Sequence, residues 1–192
     1  MSTPTRNRRD EILRAAATLF AARGYHGASI EEIGGAAGVS GPAIYRHFAG
    51  KEALLTEMLL GISSSLREGG AAVVTAARSP EEALDALLDA HITFALEQPA
   101  LIVLHDRELG NLPERPRRQI RRLQRLYVEE WVTVLAELRP DCPPPRLRAA
   151  THAVFGLLNS TPHSAGELAP AAMRRLLHTM ARAALEAVVN AH

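Results

Sequence analysis

The stretch from Ser29 to Lys51, SIEEIGGAAGVSGPAIYRHFAGK, constrains this chain most, because it sets two helix starts on either side of a turn too tight for ordinary residues. Ser29 stands three residues before Glu32, the spacing at which a capping box satisfies orphan amides reciprocally. Ile30, Ile33 and Ala37 then recur at three and four, and Gly38 stands where a left-handed C-terminal residue is expected. Val39 is placed to plug the interhelix contact, and Ser40 is a good N-cap for a second helix whose early Pro42 has no amide to leave unpaired. Ile44 and Phe48, four apart, are predicted to face inward. That turns Gly41, Pro42, Ala43, Tyr45, Arg46 and His47 outward as a small, aromatic and cationic face.

A short helix, a Gly-containing turn and a second helix with such a face form the helix-turn-helix pattern, whose second helix enters the major groove. Small residues at its start let the backbone approach base edges closely. Arg46 is suited to a guanine edge, and Tyr45 and His47 to phosphates or thymine methyls. Lys51, at the next helix start, offers an ammonium and a backbone amide to phosphate. Ser29, at the first helix start, completes the DNA-facing set. Most of these contacts are of the positioning kind. The run GGAAGVSG lacks both the G-x-G-x-x-G order and a preceding strand, so it is no dinucleotide site.

The opening helix with its turn, ILRAAATLFAARGYHGASI, then AAGVS, then AIYRHFAGKEALL, resembles the DNA-binding domain of the tetracycline-repressor (TetR) family of transcription factors. The resemblance covers roughly the first 60 residues. It implies that Ser40 to His47 supply the recognition helix, that Tyr45 and His47 touch the sugar-phosphate backbone, and that Lys51 anchors to phosphate. One departure is Gly34, where the family usually has alanine; an interior glycine costs a helix about 1 kcal/mol, which predicts loose packing there.

With 192 residues, 47% of them hydrophobic, the chain has room for a small module and one larger core. No apolar run is long enough for a membrane span and MSTPTRNRRDE has no signal-peptide core, so a soluble cytoplasmic protein is expected, with no membrane partner. The single cysteine, Cys142 in RPDCPPP, permits no internal disulfide. Residues 1 to 51 carry seven Lys or Arg against four Asp or Glu, placing the positive charge in the module expected to meet phosphate. Two domains are expected, a DNA-binding domain over 1–50 and a ligand-binding and dimerisation domain over 51–192.

Along the chain, Thr5 to Arg9 reads as a frayed arm whose Arg6, Arg8 and Arg9 either reach DNA or only solubilise. Ile12, Leu13, Ala16, Leu19 and Phe20 predict an amphipathic helix ending at Gly24. Leu54 to Leu66 predict a helix interrupted at Gly69-Gly70 and shared by both halves, so that movement at its far end reaches Lys51. Ser79-Pro80-Glu81-Glu82 starts another helix, running to Pro99; a shorter one spans about 100 to 109, and a long one 114 to 139. The long helix carries Arg118, Arg121, Arg122 and Arg125 on one face, either solvated or a grip for anionic groups such as coenzyme A phosphates. Two final helices, roughly 146 to 159 and 170 to 190, carry apolar residues, Val188 among them, and in the second several alanines add small side chains that permit close approach. They form the expected homodimer interface, as in the resembling family.

No nucleophile elbow, Walker loop or His-Glu-x-x-His helix is present, and the histidines are too scattered for a metal site, so neither enzyme, metal nor cofactor is expected. Members of the family place an apolar pocket among the later helices. Candidates for its lining are Met58, Ile62, His91, Phe94, His105, Tyr127, Trp131, Asn159 and His163, with core packing the alternative for each. Aromatic residues are only 4% of the chain, which favours an aliphatic ligand over a planar stacked one. The segment NSTPHS also resembles actinobacterial members that control fatty-acid and acyl-CoA metabolism. The expectation is therefore an all-α protein, an N-terminal three-helix helix-turn-helix domain plus a C-terminal bundle. It is expected to act as a repressor on double-stranded operator DNA, released by a small hydrophobic or acyl-CoA-like effector. The alternatives are an effector-free DNA-binding protein and a regulator answering an antibiotic or other hydrophobic drug.

Overall fold

The computed structural model describes residues 4–164, 166 and 168–187, and the side chains from residue 8 onward. The described residues form helices, α1 (Pro4–Arg23), α2 (Ile30–Ala36), α3 (Gly41–Ile44), α4 (Lys51–Ala76), α5 (Pro80–Glu97) and α6 (Pro99–Glu108), then a 3-10 turn (Leu109–Asn111), α7 (Glu114–Leu138), α8 (Pro144–Leu158), α9 (Thr161–Ser164) and α10 (Pro170–Ala187). No strand occurs among them. Val188 and the expected helix end at Asn190 lie outside the described residues, as does the Arg6 side chain.

Two compact units result. The first runs to Ile62 and takes in Ala100–Ile120; the second comprises Ser63–Pro99 and the chain from Arg121. The division falls inside α4 and α7, and the start of α4 and α6 from Ala100 onward group with the helix-turn-helix. It does not coincide with the boundary expected at residue 50.

In the first unit, α1 buries Ile12, Ala16 and Phe20 at four-residue spacing, and α4 answers with Leu54, Leu55, Met58 and Leu59. Burying a phenylalanine or leucine is worth about 1.5–3 kcal/mol, so this stripe anchors the short helices α2 and α3, which bury Ile30, Ile33 and Ile44 in the same cluster. Leu104, Leu112 and Ile120 from the later chain complete that core. The expected arm is instead helical from Pro4. Gly24 closes α1 at φ +77°, as its place after the apolar stripe implies.

In the second unit α5, α8 and α10 pack pairwise, with α7 contributing Tyr127, Trp131, Val134 and Leu135 to the core. Ser79 caps α5 by accepting the Glu82 amide at 3.2 Å. α10 turns Met173, Leu177, Ala181 and Leu185 inward, four apart, and Arg182 pairs with Asp85 of α5. Thr161 donates to the Ala95 carbonyl at 2.7 Å, tying the unforeseen α9 to the end of α5.

α4 does not break at Gly69-Gly70 but continues to Ala76. The reason is tertiary: a Cβ on Gly70 would stand 2.7 Å from Tyr127 Cε2, so the glycine lets that ring lie against the helix backbone. Gly70→Ala should therefore lower stability by about 1 kcal/mol, the overpacking cost exceeding the alanine's helix-propensity gain. Urea denaturation reads this directly, and a stabilised variant would contradict the packing argument.

Candidate nucleic-acid interface

The helix-turn-helix is built from satisfied backbone groups. Glu32 N–H donates to the Ser29 hydroxyl at 3.1 Å and Ser29 N–H to Glu32 Oε2 at 2.9 Å, closing the capping box. The Ser29 backbone N–H, then the Ser29 hydroxyl, with Arg23 nearby, hold the Glu32 carboxyl below its ordinary range. Ser29 is thus occupied in starting α2. Gly38, at φ +66°, ends that helix.

Gly34 overturns the expectation of loose packing. It is buried, and a Cβ there would meet the Val39 carbonyl oxygen at 2.8 Å and the Gly41 nitrogen at 3.2 Å. The turn backbone passes directly over it, and any side chain must push the turn away. Glycine here sets a close approach of α2 to the start of α3.

The recognition segment is shorter than its sequence implied. Only Gly41–Ile44 is α-helical; Tyr45 to His47 form a tightened turn in which His47 N–H donates to the Ile44 carbonyl at 2.8 Å. Ser40 occupies the N-cap position, but its hydroxyl makes no cap bond. Pro42 has no amide to offer, and the Ala43 amide already donates to the Ser40 carbonyl at 2.9 Å. The Ser40 side chain is left exposed and uncommitted to the helix.

Ile44 and Phe48 are buried, as the spacing required, and Tyr45 is 57% exposed. Arg46 and Pro42 are exposed, whereas Gly41, Ala43 and His47 are half-buried. A shallow depression of about 490 Å³ joins Tyr45 to Ser29 and Lys51 along the 26–32 segment. The outward face is therefore polar, aromatic and cationic on one side of a well-packed core.

Two cations of this unit turn inward. The Lys51 ammonium donates to the carbonyls of Tyr25 at 2.9 Å and Ala28 at 2.7 Å and sits 4.9 Å from the Tyr25 ring centroid. Two of its three donors serve the chain. Arg9, expected in a DNA-reaching or solubilising arm, is neither. Its Nε donates to Glu57 at 2.9 Å, its Nη2 pairs with the same carboxylate, and its Nη1 donates to the His47 carbonyl at 2.8 Å. The guanidinium also lies 4.3 Å from the Phe48 ring centroid. Arg8 is exposed and pairs with Glu11 at 2.8 Å, one turn along α1.

The expected ligand residues separate. Met58, Ile62 and His105 belong to the first unit, where Met58 is core. His163 is exposed. In the second unit His91, Phe94, Tyr127, Trp131 and Asn159 do come together, with Phe155 as the member the sequence reading missed. The His91 ring stacks on Phe155 at 4.6 Å and on Tyr127 at 5.8 Å, while the Trp131 edge meets Phe155 at 5.1 Å.

His91 Nε2–H donates to Asn159 Oδ1 at 3.1 Å, which leaves Nδ1 to accept from the Tyr127 hydroxyl at 3.2 Å. Burial lowers the imidazole pKa to about 4 and raises that of the Tyr127 phenol, so both are neutral at pH 7. The Trp131 indole nitrogen is buried with no hydrogen-bond partner. Arg118 pairs with Glu114 at 3.1 Å, and Arg121, Arg122 and Arg125 of α7 are exposed.

Comparison with known proteins agrees with this geometry. Residues 12–58 match the model of bacterial regulatory proteins of the tetR family, and residues 77–188 match that of a tetracyclin repressor-like C-terminal domain. The HTH-type transcriptional repressor KstR2 of Mycobacterium tuberculosis H37Rv is 30% identical over 142 residues, covering 70% of this chain and 71% of the relative. A TetR-family regulator from Bordetella parapertussis superposes with a TM-score of 0.80 at 27% identity, over 90% of this chain and 93% of that one. AibR, solved in complex with isovaleryl coenzyme A and operator DNA, shares the fold at a TM-score of 0.73 and 22% identity, over 90% of this chain and 97% of its own. Among the described residues no single helix is long and apolar enough to cross a membrane. With both family models matched and the helix-turn-helix in place, this chain belongs to the TetR family of bacterial transcriptional regulators.

Proposed function

We propose that this regulator is an operator-binding repressor, active as a homodimer and released from DNA by a small hydrophobic or acyl-CoA-like effector held in its second unit. The observation that carries the DNA part is the exposed, uncommitted face of Ser40, Tyr45 and Arg46 on a segment whose other side is locked by Ile44 and Phe48. That face can approach a groove without disturbing the core.

The dimer reading rests on α8 and α10. α10 leaves Leu176 and Met180 44% and 48% exposed, with Ala183, Ala184 and Ala187 continuing the same outward side. α8 leaves Ala149, Ala153 and Gly156 exposed. Small and apolar side chains in register permit close approach of a second copy, and a symmetric pair suits a palindromic operator.

The effector reading rests on the His91, Tyr127, Trp131 and Phe155 cluster, which joins aromatic walls to a buried indole N–H without an acceptor. A carbonyl or thioester oxygen satisfies such a donor. AibR, which shares the fold, takes an acyl-coenzyme A.

Fluorescence anisotropy with duplex DNA from the gene's own promoter, with and without acyl-CoAs, tests the proposal. Arg46→Ala should weaken specific operator binding about tenfold, in line with the loss of one good base contact, and leave thermal stability unchanged. Unaltered operator preference would remove Arg46 from the readers. Failure to bind any promoter duplex at low salt would end the operator reading.

A further inference from the structure

Tyr25 lies in the turn between α1 and α2, and both polar groups of its backbone are taken by side chains from distant parts of the first unit. Its N–H donates to Glu108 Oε1 at 3.2 Å, and its carbonyl accepts from Lys51 Nζ at 2.9 Å. Glu108, at the end of α6, is a carboxylate only 6% exposed, and its other oxygen accepts from Asn111 Nδ2 at 2.6 Å. Two further bonds join the same segments: Asn111 Oδ1 with His26 Nε2 at 3.2 Å, and Arg107 Nη1 to the Ala21 carbonyl at 3.4 Å. Gly24, at φ +77°, turns the chain here, and a Cβ on it would lie in ordinary contact with Glu108 Oε1 at 3.6 Å.

We infer that Glu108 is a positioning residue for DNA binding: by holding the Tyr25 peptide it fixes the carbonyl that holds Lys51 at the start of α4. The physical chain is short. A buried carboxylate does not stay without donors, so wherever α6 carries Glu108 the Tyr25 amide follows. Lys51 needs the Tyr25 and Ala28 carbonyls together to keep its ammonium beside the depression it shares with Ser29 and Tyr45. Displacement of α6 thereby withdraws Lys51 from a phosphate. The inference rests on the reading of Lys51 as a phosphate anchor.

The test is a set of full-length variants assayed for promoter-duplex binding, with Tyr25 amide hydrogen exchange measured without DNA. Glu108→Ala and Glu108→Asp, which remove or withdraw the acceptor, should weaken binding about tenfold and speed Tyr25 exchange, the scale expected for losing a charge-assisted bond. Glu108→Gln keeps an acceptor oxygen in reach and should restore most of both. Lys51→Ala should cost less in the Glu108→Ala background than in the natural chain, because the two act in series.

Independent, multiplying effects of Glu108→Ala and Lys51→Ala overturn the inference, as does a Gln variant no better than Ala. Unchanged Tyr25 exchange in Glu108→Ala overturns it without reference to DNA. A natural-strength operator complex of Lys51→Ala alone instead removes Lys51 as the phosphate anchor, and with it the route drawn here. Should Glu108→Ala not fold, the Asp and Gln pair carries the comparison.

Discussion

Lowering the pH from neutrality to about 4 should cost the fold about 3 kcal/mol through His91 alone. The imidazole is enclosed by Tyr127, Phe155 and Trp131, with one nitrogen donating to Asn159 and the other accepting from Tyr127, and burial outweighs the support that the Asn159 bond gives a positive charge. Its folded pKa of about 4 lies below the ordinary 6.5, so between those values the unfolded chain takes up a proton that the native state refuses. Stability is fully present above pH 6.5 and falls as pH drops toward 4. The exposed carboxylates of Glu32, Glu81, Glu82 and Glu129 are held below their ordinary range, and they add their own loss at lower pH. Urea denaturation across this range, on the natural chain and on His91→Phe, separates the two. The variant should be weaker at neutral pH, having orphaned the Tyr127 hydroxyl and Asn159, yet nearly flat from pH 6.5 to 4.5. A natural chain equally flat there would mean that His91 is solvated or charged in the fold. An effector bound against this cluster would meet a neutral hydrogen-bonded imidazole, so its affinity should hold steady down to about pH 5 on the same argument.

The helices were legible where one local signal sufficed. Ser79-Pro80 marked the start of α5, Gly24 and Gly38 marked two ends, and Ile12, Ala16 and Phe20 showed the buried side of α1. The outward face around Tyr45 followed from Ile44 and Phe48 alone, since a spacing of four holds for a helix and for the tightened turn that α3 becomes. The errors came where a distant residue decided the outcome. Gly70 reads as a helix breaker until Tyr127 is seen to need the space, and Gly34 reads as a defect until the Val39 carbonyl is seen above it. Ser40 reads as a cap, but Pro42 and the Ala43 amide leave its hydroxyl nothing to accept. Glu108 is separated from Tyr25 by 83 residues, and Arg9 from Glu57 by 48, so no periodicity or motif connects either pair. Of the proposed effector cluster, His91, Tyr127, Trp131 and Asn159 stand out in the sequence by their polar or amphipathic side chains, whereas Phe155 reads as an ordinary apolar residue of its helix.

Arg9→Ala should weaken operator binding by about thirtyfold and lower stability by about 2 kcal/mol, although the residue stands far from the reading face in sequence. The guanidinium joins three pieces of the first unit: α1, which carries it, the Glu57 carboxylate of α4, and the backbone just beyond α3 through the His47 carbonyl. That carbonyl is one of the unpaired acceptors at the end of a helical turn, where a fixed cation is most useful. With Arg9 gone, Glu57 loses its partner and the Tyr45 to His47 turn loses its only described tether from α1. Phe48 also loses the cation over its ring. The pair is more than a third exposed, so solvent screening limits the stability cost, whereas a turn free to shift by even a fraction of an ångström misplaces Arg46 and Tyr45 together. Arg9→Lys makes the argument specific: an ammonium is a compact charge without the fork whose Nε and Nη2 hold Glu57 while Nη1 reaches the His47 carbonyl, so it should recover stability better than it recovers operator affinity. Parallel melting and anisotropy measurements decide the matter. If Lys restores both in full, Arg9 is only a counter-ion; if Ala melts early but its folded fraction binds operator normally, the clamp does not set the recognition segment.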